Sequence, residues 1–352
     1  MVLRSRRPSS FLAVLLTCCA VLTATACGDN SPGSDGDSES KPDQVTYLTA
    51  FGAAGRDAFA WIAEEKGYFR EANLAVTIQL GKASGENLKA LAAGKTQFAA
   101  LDLTAAIISA DPKKPNPAAY KDFRAVLGIH QQTLVSVMAI EGSNINSPKD
   151  LAGKQIAAAA NSVNQLLFPG YARLAGIDPS GIHWVAVQPA QLGPVLASGK
   201  ADALSTFLIG RPTIEKATRA TKQRGVVVFP YSQYLPDLFG NAIITTSANV
   251  TGKPDLVKRF REAMRKALVY TVAHPDEAAA LLHQKQPETV TAVAAQEIKL
   301  MTPSVTAEGE DQIGVISRTR IAGAITSLQK AGLLGTSLKP EDIVDFDVMP
   351  AQ

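Results

Sequence analysis

Residues 45–67 read VTYLTAFGAAGRDAFAWIAEEKG, and this stretch indicates the fold class. Apolar and polar side chains alternate over residues 45–49, which is typical of a β-strand, and the alternation stops at a glycine-containing loop over residues 52–55. From Ala58 onwards, apolar residues recur at helical spacing until Gly67. The stretch therefore predicts a strand, a glycine loop and a helix.

The same order of elements continues along the chain. Residues 74–80 and 97–101 predict two further strands, and between them lies a helical pattern that is closed by Gly94. Strand and helix patterns alternate again up to Phe207, and long helical patterns follow residue 254. Such alternation predicts an α/β fold with mostly parallel sheets that are covered by helices on both faces.

Two short segments indicate that the chain contains two similar lobes. LAAGK at 91–95 and LASGK at 196–200 each read as a helix end, a glycine cap and a lysine before a strand. We place lobe I at 45–132 and 241–352, and lobe II at 133–240, with two crossing strands as the hinge. A chain that leaves a domain and returns to it forms a cleft, and small ligands bind in α/β clefts at the carboxyl ends of strands.

The N-terminus has the layout of a secretory signal over residues 1–26, because three arginines precede an apolar run at 11–22. That run is shorter than the roughly 20 residues that a membrane span needs. Cys27 follows three small residues and resembles the cysteine of a bacterial lipobox, which is diacylated, although Ala24 stands where leucine is usual. The alternative is an ordinary secreted protein with an incidental cysteine. Residues 27–44 are polar and predict a flexible tether.

Composition excludes several classes of function. All three cysteines lie at or before residue 27, so the folded part has no disulfide, thiolate metal site or cysteine nucleophile. The formal charge of +3 comes from 35 Lys and Arg against 32 Asp and Glu, and three of the arginines lie in the signal. A neutral remainder gives no reason to expect nucleic acid as a partner. The four histidines are dispersed and no catalytic motif is present, so we predict no enzyme, cofactor or metal.

Polar and aromatic side chains follow several predicted strands at what should be one edge of each sheet. In the glycine loop, Phe51 could stack on a ligand and Arg56 or Asp57 could hydrogen-bond to it; alternatively, Asp57 caps the helix and Arg56 is solvated. Asp102 follows a strand and would accept from N–H donors and repel a sulfonate, unless it only caps the next helix. The candidate ligand-binding residues are Phe51, Arg56, Asp57, Ser84, Asp102, Asn161, Ser162, Gln165, Gln188 and Phe207.

Four blocks carry a resemblance to a known family. The blocks are WIAEEKGYFREANLAV at 61–76, INSPKDLAGKQI at 145–156, LASGKADA at 196–203, and PDLVKRF at 254–260 with HPDEAA at 274–279. In these blocks the sequence is similar to the binding proteins of sulfonate, nitrate and thiamine-precursor importers, the SsuA-like and thiamine-pyrimidine-precursor-synthase-like group. The resemblance implies a periplasmic-binding-protein (Venus-flytrap) fold, a monomeric extracytoplasmic receptor, a small-molecule ligand and the membrane permease of an ABC transporter as partner.

The sequence leaves more than one ligand class and more than one function possible. Asp102 favours a thiamine-related pyrimidine or a similar aromatic precursor, and sulfonate or nitrate comes second because Arg56 is the obvious cation of the proposed pocket. One alternative is an enzyme of thiamine-pyrimidine biosynthesis, but that branch of the family relies on a cysteine-rich motif that the sequence lacks. Another alternative is a surface sensor or adhesion protein that binds a peptide.

Overall fold

The computed structural model describes residues 41–111, 122–160, 162–335 and 338–349. Over these residues the strands form two five-stranded sheets. The strands are β1 (Asp43–Leu48), β2 (Leu74–Gln79), β3 (Phe98–Asp102), β4 (Phe123–Gly128), β5 (Val135–Ile140), β6 (Gln155–Ala158), β7 (His183–Ala186), β8 (Ala203–Phe207), β9 (Val226–Pro230) and β10 (Asn241–Thr246).

Helices connect the strands and fill the C-terminal part of the chain. Short 3₁₀ turns accompany them, including those at Gly55–Asp57 and Leu208–Gly210. The α-helices are α1 (Phe59–Glu65), α2 (Tyr68–Glu71), α3 (Ser84–Ala92), α4 (Leu103–Ser109), α5 (Val163–Leu174), α6 (Leu192–Ser198), α7 (Arg211–Lys222), α8 (Ser247–Gly252), α9 (Pro254–Ala273), α10 (Pro275–Lys285), α11 (Thr291–Val305), α12 (Arg318–Lys330) and α13 (Pro340–Ile343).

The first sheet has the strand order β2-β1-β3-β10-β4. β1 is parallel to β2 and β3, whereas β10 is antiparallel to both of its neighbours. β1 begins at Asp43, two residues before the predicted start, because Asp43 pairs with Leu74 and its carboxylate lies 2.7 Å from the guanidinium of Arg259 on α9.

The second sheet repeats this arrangement with the order β7-β6-β8-β5-β9. β6 is parallel to β7 and β8, and β5 is antiparallel to β8 and β9. Four of the five strands of each sheet therefore run in one direction, which confirms the prediction of mostly parallel sheets. The antiparallel strand of each sheet, β10 or β5, is the one that arrives from the other sheet, so it enters from the opposite end to the strands beside it.

The two similar segments of the sequence occupy corresponding places in this arrangement. Gly94 follows α3 and precedes β3, and Gly199 follows α6 and precedes β8. Both glycines have positive φ, 68° and 77°, which is the left-handed conformation that ends a helix. The third strand in the order of each sheet is thus reached through the same turn.

Some elements were not predicted or begin elsewhere. β9 was missed, although its apolar sequence VVVFP is typical of a buried strand. α12 lies within the predicted helical region after residue 254 but only begins at Arg318, because the side chain of Ser317 accepts a hydrogen bond from the backbone N–H of Arg320 and caps the helix there.

Each sheet has its own aromatic core. Phe260 of α9 stacks on Phe98 in the first sheet with ring centroids 4.0 Å apart, and Tyr171 of α5 stacks on Tyr231 beside the second at 4.2 Å. None of the described helices is both long enough and apolar enough to cross a lipid bilayer.

Two adjacent segments join the sheets, at 129–134 and 231–240. They bond to one another, since the backbone N–H of Gly240 donates to the carbonyl of His130 and that of Thr133 to Leu238. The fold class predicted from the sequence, a two-lobed α/β body, is confirmed. The two crossing connections are irregular segments in place of the predicted crossing strands. We call the two halves, each built around one sheet, the first and the second half.

Candidate functional site

The strand directions bring one edge of each sheet to the junction between the halves. In the first sheet the carboxyl ends of β1, β3 and β4 share an edge with the start of β10. In the second sheet the carboxyl ends of β6, β8 and β9 share an edge with the start of β5. Both crossing segments run between these two edges, so the edges lie on either side of the junction. We call this region the inter-sheet cleft.

Asp102 ends β3 and is 1% exposed. One carboxylate oxygen, Oδ1, accepts a hydrogen bond of 2.8 Å from the backbone N–H of Ala105 and caps α4. The other oxygen, Oδ2, is buried and has no partner among the described residues. Burial raises the pKa of Asp102 to about 7, although the backbone N–H groups of Ala105 and Thr104 act in the opposite direction. The aspartate is therefore a helix cap that retains an unused acceptor.

Ser84 supports Asp102 and does not cap its own helix. It is the first residue of α3, after Ala83 at the cap position, and its Oγ accepts a hydrogen bond of 3.1 Å from the backbone N–H of Asp102. Ser84 thus fixes the backbone from which the Asp102 carboxylate extends.

The glycine loop holds a buried ion pair. Asp57 is 1% exposed, and its carboxylate accepts from the backbone N–H of Ala50 at 2.9 Å and from Nε of Arg56 at 3.2 Å. Burial raises the pKa of Asp57, against the effect of the neighbouring Arg56 charge. The alternative in which Asp57 caps the helix and Arg56 is solvated is wrong, because Asp57 does not cap α1 and Arg56 is 8% exposed. Contact of either side chain with a ligand stays a prediction. Phe51 of the same loop is 45% exposed.

Arg56 also contacts the second half of the molecule. Its guanidinium carbon lies 5.7 Å from the centre of the Phe207 ring, at the end of β8. Such a cation over an aromatic face is attracted by about 0.5–1 kcal/mol or more, depending on burial. Two candidates from different lobes, Arg56 and Phe207, are therefore brought together.

Glu297 of α11 was not among the candidates. Its Oε2 accepts a 2.6 Å hydrogen bond from the backbone N–H of Gly55, and burial raises its pKa. A Cβ at Gly55 would lie 2.3 Å from the carbonyl oxygen of Ala294, so only glycine allows this approach. No local sequence motif connects a glycine in the first loop to a glutamate more than 200 positions later.

His130 was not among the candidates, and the structure places it at the cleft. It begins the first crossing segment and is 2% exposed. Its Nδ1 accepts a hydrogen bond of 3.2 Å from the backbone N–H of Asn241, whereas its Nε2 is buried without a partner in the described part of the chain. Burial, and then the charge of Arg56, lower the pKa of His130 to about 3, so the ring is neutral at physiological pH.

The second half contributes neutral polar groups at the start of α5. Ser162 precedes the helix without capping it, and its Oγ is buried with no partner within the described ranges. The same is true of Nδ2 of Asn164, which is 3% exposed and was missed in the sequence. Gln165 is half-buried on the same turn, and Asn161 lies outside the described residues.

Tyr231 bonds to the backbone of this turn of α5. Its hydroxyl donates to the backbone carbonyl of Asn164 at 3.3 Å and lies 3.2 Å from Oγ of Ser205 on β8. Burial raises the pKa of Tyr231, so the hydroxyl keeps its proton. Gln188, by contrast, is exposed beyond β7.

Seven of the ten candidate residues thus fall into three groups, whereas Phe51 and Gln188 are exposed and Asn161 lies outside the described residues. Asp102 and Ser84 lie together in the first half, Arg56 and Asp57 form an ion pair that meets Phe207, and Ser162 and Gln165 lie at the start of α5. Among the described residues, no group of three or more His, Cys, Asp or Glu side chains is placed to hold a metal ion.

Comparison with known proteins identifies the family and the fold. Residues 57–278 match the family model described as NMT1/THI5 like, which confirms the family resemblance predicted from the four sequence blocks. No curated protein matches the sequence.

Several solved structures share the fold at low sequence identity. The periplasmic aliphatic sulphonate binding protein SsuA from Escherichia coli is 16% identical, with a TM-score of 0.67 over 88% of this chain and 94% of that chain. The periplasmic nitrate-binding protein NrtA from Synechocystis PCC 6803 is 12% identical, with a TM-score of 0.64 over 88% and 87%. The ligand binding component of an ABC-type import system from Staphylococcus aureus, with zinc bound, is 13% identical, with a TM-score of 0.64 over 87% and 97%.

Proposed function

The chain belongs to the NMT1/THI5-like family, and we propose that it is an extracytoplasmic solute-binding protein that delivers a small organic ligand to an ABC importer. The names of the similar structures support this role, because they describe a sulphonate-binding protein, a nitrate-binding protein and a component of an ABC-type import system. The proposal assigns the chain no catalytic residue and no cofactor.

We infer the ligand class from one observation: Oδ2 of Asp102 is buried and has no hydrogen-bond partner among the described residues. A buried polar atom without a hydrogen bond costs free energy, on the order of 1–3 kcal/mol and more for a charged group. A ligand that brings an N–H donor to this oxygen removes the cost and favours the ionised form of Asp102, and an anion bound beside that ionised form would meet a second negative charge. The favoured ligand is therefore a thiamine-related pyrimidine or a similar aromatic precursor with an amino group.

Both halves take part in the proposed binding mechanism. The ligand binds to Asp102 in the first half, and Ser162, Asn164 and Phe207 of the second half then close on it. Closure follows from binding only if the ligand contacts both halves, since a ligand shifts a conformational equilibrium by its difference in affinity for the two states. We place the lobe boundaries at residues 132 and 240, next to the crossing segments, and expect the closed form to be the one that the permease recognises.

Sulfonate or nitrate is the second candidate, and the similar structures named above favour it. The cation available for such a ligand is Arg56, but its charge is already paired with Asp57. An anion would have to bind against this neutralised pair. We therefore rank the amino-substituted aromatic ligand first.

Calorimetric titration tests the ligand class, with 4-aminopyrimidine, methanesulfonate and nitrate as probes of the protein purified after expression of the full chain. We expect 4-aminopyrimidine to bind, and Asp102→Asn to weaken it by about tenfold or more, because the amide keeps the helix cap but turns an N–H toward the ligand. Asp178→Asn is the matched control, since Asp178 caps an exposed 3₁₀ turn through its own carboxylate. Binding of methanesulfonate or nitrate without 4-aminopyrimidine would refute the ligand assignment.

The location is proposed from the N-terminal sequence. We propose that residues 1–26 are removed, that a lipid on Cys27 anchors the protein to the bacterial cell membrane, and that it acts there as a monomer. Cells grown with labelled palmitate should label the wild-type chain and leave Cys27→Ser unlabelled. Equal label on both proteins, or on neither, would show that Cys27 is not the attachment site.

A further inference from the structure

The hydrogen-bonding state of His130 is fixed by its neighbours. Nδ1 accepts the N–H of Asn241, so this nitrogen carries no proton. A neutral imidazole has one protonated nitrogen, which must then be Nε2. Gly240 also packs closely against the His130 side chain. An added Cβ on Gly240 would lie only 2.9 Å from the Cβ of His130. His130 thus presents a buried N–H donor that has no acceptor within the described chain.

Asp102 and His130 flank the same residue of the first sheet. Asn241 begins β10 and pairs directly with Asp102 on β3. On its other side, the backbone N–H of His130 donates to the carbonyl of Asn241 at 3.0 Å. An unused acceptor and an unused donor therefore lie on either side of one strand end, at the edge that borders the inter-sheet cleft.

We infer that His130 is a second specificity-determining residue of the proposed binding site, where its Nε2–H donates to an acceptor atom of the ligand. The inference rests on the proposed function and narrows the ligand class. The ligand presents an N–H donor to Asp102 and, close to it, an unprotonated acceptor to His130. One edge of an aminopyrimidine carries this combination, as an exocyclic amino group beside a ring nitrogen.

Two substitutions separate the donor role of His130 from a structural role. In His130→Asn, the amide oxygen takes the position of Nδ1 and keeps the bond from Asn241, but no group reaches the position of Nε2. In His130→Gln, the amide nitrogen reaches the position of Nε2 and the bond from Asn241 is lost. Two probes form the matching pair: 4-aminopyrimidine has both donor and acceptor, whereas aniline has the amino donor and no ring acceptor.

Calorimetric titration of both variants with both probes tests the inference. We expect His130→Asn to weaken 4-aminopyrimidine by about tenfold to a hundredfold, the loss expected for a ligand acceptor left unpaired in a buried site. Aniline should bind wild type and His130→Asn equally, and His130→Gln should retain most of the affinity for 4-aminopyrimidine.

Three results would overturn the inference. The first is an unchanged affinity of His130→Asn for 4-aminopyrimidine, and the second is an equal loss for both probes, which would indicate a structural role. In either case the proposed function stands, because wild type still binds the probe. The third is that 4-aminopyrimidine does not bind wild type; this refutes the proposed ligand class, and the role of His130 with it.

Discussion

The two edges that border the inter-sheet cleft differ in their chemistry, although the two sheets have the same topology. The edge of the first half contains ionisable side chains, and the edge of the second half contains neutral ones. Because ionisable groups distinguish ligands by charge and neutral groups do not, the first half should select the ligand and the second should enclose it. The ionisable set is Arg56, Asp57, Asp102, His130 and Glu297; the neutral set is Ser162, Asn164, Ser205, Phe207 and Tyr231.

The largest expected effect is on the pH dependence of the free energy of unfolding, to which Asp102 of the first half contributes. Its pKa is about 7 in the folded protein, against 3.8 for an unperturbed aspartate. Between these values the folded state holds a proton that the unfolded chain has released, so the contribution of Asp102 lowers stability as the pH rises. Replacing it by Asn removes this penalty, and the gain relative to wild type should grow to at most on the order of 4 kcal/mol by pH 8.

Urea denaturation of wild type and Asp102→Asn at pH 4, 6 and 8 measures the effect. Asp57 and Glu297 also have raised pKa values, but they are present in both proteins and cancel in the difference. A difference in unfolding free energy that did not change with pH would show that Asp102 is not held protonated by burial.

The second test concerns the backbone of the first half. A Cβ at Gly81 would lie 1.9 Å from the carbonyl oxygen of Thr49, so Gly81→Ala should separate the ends of β1 and β2. We expect a loss of about 1–3 kcal/mol in unfolding free energy, typical of overpacking. Gly85→Ala is the control: nothing lies within 4 Å of the added carbon in α3, and alanine should stabilise the helix by about 0.5–1 kcal/mol. Equal effects of the two substitutions in thermal unfolding would contradict the tight approach.

The smallest effect is expected in the second half, from Tyr231→Phe. The change removes the hydroxyl that bonds to Asn164 and contacts Ser205, but it keeps the ring that stacks on Tyr171. It should cost about 1 kcal/mol. The cost should be the same from pH 5 to pH 8, because burial raises the pKa of Tyr231 and its hydroxyl stays protonated throughout this range. Exposed Ser198→Ala serves as the control in urea denaturation, and a pH-dependent loss for Tyr231→Phe would remove the contrast between the halves.

Local sequence patterns were sufficient to predict the fold class and the family. Alternation in β1, the glycine loop and the paired LAAGK and LASGK segments depend on neighbouring residues, and neighbouring residues can be read directly. The one reversed strand of each sheet was not predicted. Whether β5 and β10 lie parallel or antiparallel to their neighbours depends on where the chain crosses between sheets, which no local pattern records.

The candidate site was predicted in outline and not in its contacts. Asp102 could be identified because it follows a buried strand and precedes a helix. His130 could not, since Asn241, far along the chain, bonds to its Nδ1 and leaves Nε2 without a partner among the described residues. Asn164 could not either, since the tyrosine that bonds to its backbone carbonyl is also distant in sequence. Arg56 looked like a free cation because the sequence gives no sign that Asp57 and Phe207 surround it.

The position of β10 also affects the order in which the protein is assembled during synthesis. The second sheet consists of one uninterrupted stretch, 135–230, and every strand it needs has emerged once that stretch has been translated. The first sheet lacks its strand between β3 and β4 until residue 246 has been added. The half that is translated first is therefore completed last, and a nascent chain halted before that point would leave the edges of β3 and β4 open to pairing with other chains.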